Sequence, residues 1–395
     1  MQAVILAAGK STRTYPLTIT KPKPLLKIAG KPILEHNLEQ LEGLVDEAII
    51  IIGFKGNMIK EYLGDKFGKI KLKYIIQKKQ DGNGSALMLA SSYLKDRFIV
   101  MVGDDLYSKE DIKKCIKHTY CVLTKEVNDL SQFGQVITND QFVTEFKEKP
   151  GKKKGLANTG LQVYDKKIFS YKLKKSKRGE YEIVDYITYL IEKGEKVHYE
   201  KITNYWFPVT YPWSLLEANE FLLSKIKRTI SGEVEKYAVI KGPVIIGKGT
   251  VIKSGSYIEG PAAIGDNCKI GPNCYIRAHS SIGNDCKIGN AVEVKNTIIG
   301  DRTSIGHLSY VGDSVIGDDV NFGAGTIIAN LRHDGTNVNS PVKGDMIDTG
   351  RKKFGAVIGD NVKLGIKTSI YPGRKIWPGS KTAPGEIVKK DMGGW

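Results

Sequence analysis

A chain of 395 residues, 41% hydrophobic and 26% charged, is long enough to bury a large core and favours two or three domains over one. Its formal charge of +17 admits nucleic acid, an anionic surface or phosphorylated substrates, but the densest basic run, Lys172 to Arg178, has one aromatic beside it and no stacking series, so it reads as a solvated face with no nucleic-acid partner. The first residues carry no secretory signal, the longest apolar run, Ala48 to Ile52, is too short for a bilayer, and the five cysteines form no Cys-x-x-Cys pair, so a soluble cytoplasmic protein with reduced thiols and no membrane partner is expected.

The chain opens with short apolar runs alternating with amphipathic stretches: Ala3 to Ala8, Ile33 to Leu44, Glu47 to Gly53 and Met58 to Leu63. That alternation predicts βαβ units in a Rossmann-like α/β domain. Phe98 to Val102 reads as a buried strand ending in Gly103-Asp104-Asp105, which puts acidic side chains at a strand's C-terminal edge, where such sheets bind ligands. Trp213 to Arg228 reads as a helix that closes a first domain, residues 1–228.

From about Val239 the texture changes. An apolar residue followed by glycine recurs at multiples of six with small slips, as in Ile264-Gly265, Ile270-Gly271, Ile282-Gly283, Ile288-Gly289, Ile305-Gly306 and Ile316-Gly317. This period predicts the hexapeptide repeat of a left-handed parallel β-helix over residues 229–395. Three hexapeptides make one triangular coil, with the apolar residue pointing inward and its equivalent stacked above it in the next coil. Cys268 and Cys286, eighteen residues apart, should then touch in the core as small apolar fillers. The segment Asn330 to Lys353 breaks the period and should protrude. Prisms of this kind pack side by side, and a homotrimer is the natural closed arrangement.

The run Leu6-Ala7-Ala8-Gly9-Lys10-Ser11-Thr12-Arg13 follows the first strand directly. It is not a P-loop, because the glycine required five residues before Gly9 is Val4. It does offer a small-residue loop whose backbone N–H groups face a phosphate chain, with Arg13 and then Lys23 to neutralise it. Here the sequence resembles the sugar-1-phosphate nucleotidylyltransferase superfamily, whose opening signature is Ala-Gly-x-Gly-Thr-Arg followed by Pro-Lys. The second glycine of that signature is Ser11, a departure that suits an ordinary backbone conformation there. Gln77 with Gly82-Asn83-Gly84-Ser85-Ala86 resembles the base-recognition stretch, Gly103-Asp104 the metal-binding stretch, and Gly134, Glu148 and Asn158-Thr159-Gly160 the sugar-binding positions. The likeness implies attack by a sugar-1-phosphate oxygen on the α-phosphate of UTP or dTTP. Ala8 and Gly9 would line the nucleotide, Arg13 hold the leaving pyrophosphate, Lys23 the α-phosphate, and Asp104 a Mg²⁺ ion. Relatives commonly carry Trp-x-Asp near the end of the domain, the Asp being a second metal ligand; this chain reads Trp206-Phe207-Pro208, which leaves Asp104, helped by Asp105, to serve.

The coils contain Gly306-His307-Leu308-Ser309-Tyr310-Val311-Gly312-Asp313, then Asn321-Phe322-Gly323-Ala324-Gly325-Thr326 and Ala329-Asn330. Taken alone, a His at such a place reads as a surface turn residue. The surroundings resemble the acetyltransferase half of the bifunctional enzymes that make UDP-N-acetylglucosamine, in their archaeal-type branch. Acetyl transfer needs an unprotonated amine and hence a base near neutrality, which imidazole supplies. The resemblance implies His307 as that base, Arg277 and Lys295 as the grip on the sugar phosphate, and Tyr310 and Asn321 as sugar-positioning groups. By the same likeness Asn330 contacts the reacting amine or acetyl group, and Ala324 lies along an acetyl-CoA groove between subunits. Relatives carry lysines in the protruding loop where Thr336 to Pro341 has none.

Two other readings stay open at this level. One keeps only nucleotidyl transfer, from dTTP or UTP to glucose-1-phosphate, with the β-helix as a scaffold. The other, suggested by Pro208, is a non-catalytic regulatory protein that binds nucleotide-sugar.

Overall fold

Residues 1–393 are described in a computed structural model of the chain, and they divide by packing into two units. The first comprises Met1–Lys10, Pro22–Leu25 and Ile33–Pro208; the second takes Ser11–Lys21, Leu26–Pro32 and the chain from Val209 onward.

The apolar runs at the start of the first unit become the centre of a ten-stranded sheet. Its strands lie in the order Gln135–Asn139, Phe142–Lys147, His198–Lys201, Cys121–Val127, Gly155–Tyr164, Phe98–Val102, Gln2–Ala7, Glu47–Ile52, Ile70–Ile76 and Lys66–Phe67. Around the first strand pairing is parallel, Ile5 lying opposite both Ile50 and Met101. Side chains alternate between faces, so Ala3, Ile5, Ala7, Ile50 and Met101 enter one core layer while Val4, Ile49, Ile51 and Val100 enter the other. Both layers are dry, which is why these strands read as unbroken apolar runs. Leu34, Leu38 and Leu41 of the helix Ile33–Leu41 cover one face; Ala86 and Leu87 of Asn83–Leu89, with Tyr186, Ile187 and Leu190 of Asp185–Glu192, cover the other.

The hexapeptide period becomes three parallel sheets of eight, seven and eight short strands, the left-handed β-helix that the repeat predicts. Ile264 pairs with Ile282, Ile282 with Ile299 and Ile299 with Ile316, a column of buried isoleucines one coil apart. Cys268 and Cys286 are both buried, and the Cys286 N–H points at Cys268 Sγ at 3.4 Å, so they stack as expected. Coils recur every 16 to 18 residues until Ile316, which pairs with Ile358, 42 residues on. The excess over an 18-residue coil equals the 24 residues of 330–353, so the aperiodic segment leaves the helix and returns without shifting its register. Part of it forms a hairpin, Asn339–Val342 against Asp345–Asp348.

Two expectations shift. The helix read over Trp213 to Arg228 spans Pro212–Leu223, and coil strands begin at Thr229–Ile230, ahead of Val239. The β-branched pair Thr229 and Ile230 finds partners in Ile245 and Ile246, which outweighs continuation of the helix.

One corner of the prism carries a ladder in which each acidic or amide side chain accepts the backbone N–H of the coil before it. Asp301 Oδ1 takes Asn284 N–H at 2.8 Å, Asp318 Oδ1 takes Asp301 N–H at 3.0 Å, and Asp360 Oδ1 takes Asp318 N–H at 2.8 Å. The outer oxygens of Asp318 and Asp360 receive Lys21, whose Nζ lies 2.5 Å from Asp318 and 3.2 Å from Asp360, and Thr20, whose Oγ1 donates to Asp360 at 2.6 Å, while Lys27 Nζ spans both oxygens of Asp301 at 2.7 and 2.8 Å. Burial works against the charged form of Lys21, yet the two carboxylates outweigh it and hold its pKa above the ordinary lysine value.

Candidate active sites

In the first unit the C-terminal ends of neighbouring strands converge. Gly53 lies against Ala8 so closely that a Cβ on it would stand 2.7 Å from Ala8 O, and Gln80 Nε2 donates to the same carbonyl at 2.7 Å. The Ala8-Gly9 backbone is thereby held from two sides. Lys23 is buried and its Nζ donates to Asp104 Oδ2 at 2.8 Å, while Asp104 keeps about a third of its side chain open. These two predicted residues meet. Asp105 is occupied, since Trp206 Nε1 donates to its Oδ2 at 3.2 Å. Among the described residues no group of three or more His, Cys, Asp and Glu side chains is gathered for a metal.

The stretch expected to read the base is built around the Gln77 amide, which donates to Gly82 O at 3.1 Å and Ser85 Oγ at 2.8 Å. Ser85 Oγ in turn donates to Asp81 Oδ1 at 2.6 Å, and Asn83 Oδ1 accepts the Ile183 N–H at 2.8 Å. Gly82 has φ +118°, and a Cβ there would stand 2.2 Å from Tyr181 O, so no other residue fits. Gln80 and Asp81 were not singled out from the sequence, because polar residues in a turn give no signal until the fold aims them.

The positions expected to bind the sugar also come together. The Asn158 N–H donates to Gly134 O at 2.8 Å, and a Cβ on Gly134 would lie 3.1 Å from Glu148 Oε2. Arg178 lies 3.3 Å from Glu148 and 2.8 Å from Glu182, beside a cavity of about 320 Å³ lined also by Phe146 and Asp185. Burial, reinforced by Glu182, raises the Asp185 pKa above the ordinary carboxylate range.

Arg13 packs in the second unit, where Ser11 O is gripped by Thr14 Oγ1 at 2.7 Å and Thr18 Oγ1 at 2.8 Å. Contrary to expectation, Ser11 is left-handed at φ 50°, ψ 51°. It occupies the place of the signature's second glycine, in the conformation glycine would favour, and those two hydroxyls hold it there.

On the coils, parallel register sets the second constellation in columns. Tyr275, Glu293 and Tyr310 are successive partners, and so are Lys295 and Gly312. Arg277 Nη1 donates to Glu293 at 2.9 Å, Lys295 Nζ to Asp313 at 3.1 Å, and Asn330 Nδ2 to the Tyr310 hydroxyl at 3.0 Å. Gly312 permits that last contact, since a Cβ would fall 2.5 Å from Tyr310 Oη and 2.8 Å from Asn330 Nδ2. Burial, then the nearby Asp313, raises the Tyr310 pKa, so the phenol stays protonated at neutral pH. Arg277, Lys295, Tyr310 and Asn330 thus form one neighbourhood. His307 is exposed and in register with Asn290; Asn321 is exposed and in register with Ser304; Ala324 is half-buried at the following corner. Asp313 was not singled out from the sequence, because a Gly-Asp pair at a coil corner is a routine turn signal.

The nucleotidyl transferase family model matches residues 2–225, and the model of the GMPPB C-terminal domain matches residues 258–374. Over 396 aligned residues the chain is 44% identical to the bifunctional protein GlmU of Methanocaldococcus jannaschii, covering 99% of this chain and 96% of the relative. It is 38% identical over 402 residues to a bifunctional sugar-1-phosphate nucleotidylyltransferase/acetyltransferase of Sulfurisphaera tokodaii, covering 100% and 98% of the two chains. A crystal structure from Bacillus anthracis, named as a glucose-1-phosphate thymidylyltransferase, matches with TM-score 0.52 and 30% identity over 58% of this chain and 97% of that one.

Proposed function

The chain belongs to the family of bifunctional sugar-1-phosphate nucleotidylyltransferases/acetyltransferases, and from that membership we propose how residues 1–228 and 229–395 divide the synthesis of UDP-N-acetylglucosamine. The chain is an enzyme with both transfers, acetylation of glucosamine-1-phosphate by acetyl-CoA and uridylylation of N-acetylglucosamine-1-phosphate by UTP. The observation that carries the reading is the relationship over nearly the whole chain, with both halves in the same order.

In the acetyl transfer the substrate amine attacks the thioester carbonyl of acetyl-CoA. His307 takes the amine proton, a C–N bond forms, and coenzyme A leaves as its thiol. Arg277 and Lys295, each held by one donor on Glu293 and Asp313, turn their remaining N–H groups to the sugar's phosphate dianion. The protonated Tyr310 hydroxyl, steadied by Asn330, orients the sugar together with Asn321. Ala324 lies along the acetyl-CoA groove. Leu308, Ile327, Ile366 and Ile387 are exposed on the coils, which supports side-by-side packing in a homotrimer. The cytoplasm is the expected location.

In the uridylyl transfer a phosphate oxygen of N-acetylglucosamine-1-phosphate attacks the α-phosphate of UTP and pyrophosphate leaves. Gln77, whose amide N–H groups are committed to Gly82 and Ser85, presents its carbonyl to the base N–H of a pyrimidine, uracil or thymine, with Gly82 and Asn83 shaping that wall. Lys23 neutralises the α-phosphate, Arg13 the departing pyrophosphate, and the Ala8-Gly9 backbone lies along the phosphate chain. Gly134, Glu148 and Asn158 take the sugar. Asp104 is the residue to hold Mg²⁺, an ion satisfied by one or two carboxylates plus substrate phosphates, which supplies charge neutralisation at the phosphates. With Pro208 in place of an aspartate and Asp105 bound to Trp206, the fit is a single-carboxylate one.

The test is pyrophosphate release by purified protein with Mg²⁺, UTP or dTTP, and N-acetylglucosamine-1-phosphate or glucose-1-phosphate. Release with UTP and N-acetylglucosamine-1-phosphate is expected. No release with any pair would remove uridylyl transfer and leave the first domain as a nucleotide-sugar-binding module.

A further inference from the structure

Three side-chain donors converge on one buried carboxylate. Asp313 is 3% exposed; its Oδ2 accepts Lys295 Nζ at 3.1 Å and Asn330 Nδ2 at 2.5 Å, and its Oδ1 accepts Asn296 Nδ2 at 2.9 Å. Its own N–H donates to Lys295 O at 2.9 Å, so backbone and side chain both tie it to the rung below. We propose that Asp313 is the positioning residue of the acetyl-transfer site, holding Lys295 and Asn330, and through Asn330 the Tyr310 hydroxyl, where they meet the amino-sugar phosphate. The proposal rests on the acetyl-transfer reading above.

A carboxylate is the one side chain of this size that accepts on both oxygens, and every neighbour here is a donor. Lysine has a long, flexible stem; without Asp313 its ammonium has no fixed place to wait for substrate. Asn330 stands at the foot of the aperiodic segment, and the bonds to Asp313 and Tyr310 fix its amide although the chain departs from the coil at that point. A second carboxylate backs the arrangement. Glu220 Oε1, on the helix Pro212–Leu223, accepts Asn296 Nδ2 at 3.0 Å and Arg351 Nη2 at 2.6 Å, so Asn296 is stretched between Glu220 and Asp313.

The discriminating variant is Asp313→Asn. It keeps the shape, and asparagine tolerates the left-handed backbone found here, φ 49°, so the corner survives. It places an NH₂ among three donors, so at least one of them loses its acceptor. Acetyl transfer is measured at saturating acetyl-CoA with glucosamine-1-phosphate varied, for the parent, D313N, Lys295→Met and the double variant. D313N is expected to raise KM about tenfold and lower kcat about tenfold, while the double variant stays within about twofold of Lys295→Met in KM, because Asp313 acts on the phosphate through Lys295. Uridylyl transfer by the same preparations should match the parent.

An active parent with D313N at parental KM and kcat overturns the proposal alone, and so does full additivity with Lys295→Met. A parallel fall of uridylyl transfer and melting temperature in D313N, with no separate rise in KM, overturns it by making Asp313 merely structural. A parent inactive in acetyl transfer overturns the underlying reading and the proposal together. Should D313N not fold, Glu220→Gln reports the same geometry one step removed: a rise in KM of about two- to threefold is expected, and an unchanged KM overturns the proposal.

Discussion

Single residues of the two sites were legible where chemistry is tied to residue type. Arg277, Lys295, Tyr310 and Asn330 could be named only through the resemblance to the acetyltransferase family, and the coils bring them together; Lys23 and Asp104 meet at 2.8 Å. Residues whose role depends on alignment between rungs were not legible. Asp313 is one, and Ser11, left-handed at φ 50°, is another, because no pattern in the sequence reports the hydroxyls of Thr14 and Thr18 that grip its carbonyl. Lys375 is a third: 2% exposed, with its pKa pushed down to about 8 by burial, which the facing Asp391 only partly offsets, with Arg374 beside that carboxylate. The unfolded chain holds this proton more tightly than the folded one. The resulting penalty is therefore full below pH 8, fades as pH rises toward 10.5, and is on the order of 3 kcal/mol at most. Lys375→Met should melt higher than the parent at pH 7, with the difference narrowing by pH 10; a difference that grows with pH would contradict this.

Elements differ in how openly the sequence declares them. The central strands were readable as unbroken apolar runs and the coils as apolar residues buried at a fixed period, and Ile316 still finds Ile358 after a 24-residue excursion. The mixed wing of the first sheet, Cys121–Val127 through His198–Lys201, was not readable: its outer strands are short, half-exposed and rich in charge. Nor could any periodicity show that Ser11–Lys21 packs with the coils, since that depends on Lys21 meeting Asp318 and Asp360 from remote rungs. Arg13 belongs to this tethered segment. Lys21→Met leaves two carboxylates facing each other without their cation and is expected to cost about 3 kcal/mol of stability in urea unfolding.

At the scale of the molecule, one chain carries a site that makes an N-acetylated sugar phosphate and a site that consumes it, so the chemistry runs in one order: the amine is acetylated before the phosphate is capped by the nucleotide. Both domain types were evident from the sequence, one from its ordered motifs and one from its repeat. The relationship over 99% of the chain joins the two transfers in a single enzyme. The most direct test supplies glucosamine-1-phosphate, acetyl-CoA, UTP and Mg²⁺ together and follows the nucleotide-sugar by mass spectrometry, for the parent and for His307→Ala. The parent should form UDP-N-acetylglucosamine after a lag. His307→Ala should form less by about 100-fold or more, and should recover fully when N-acetylglucosamine-1-phosphate replaces the amine. Parental product formation from the amine by His307→Ala would contradict the assignment of the base, and a parent that makes product only from the acetylated sugar would contradict the two-transfer enzyme itself.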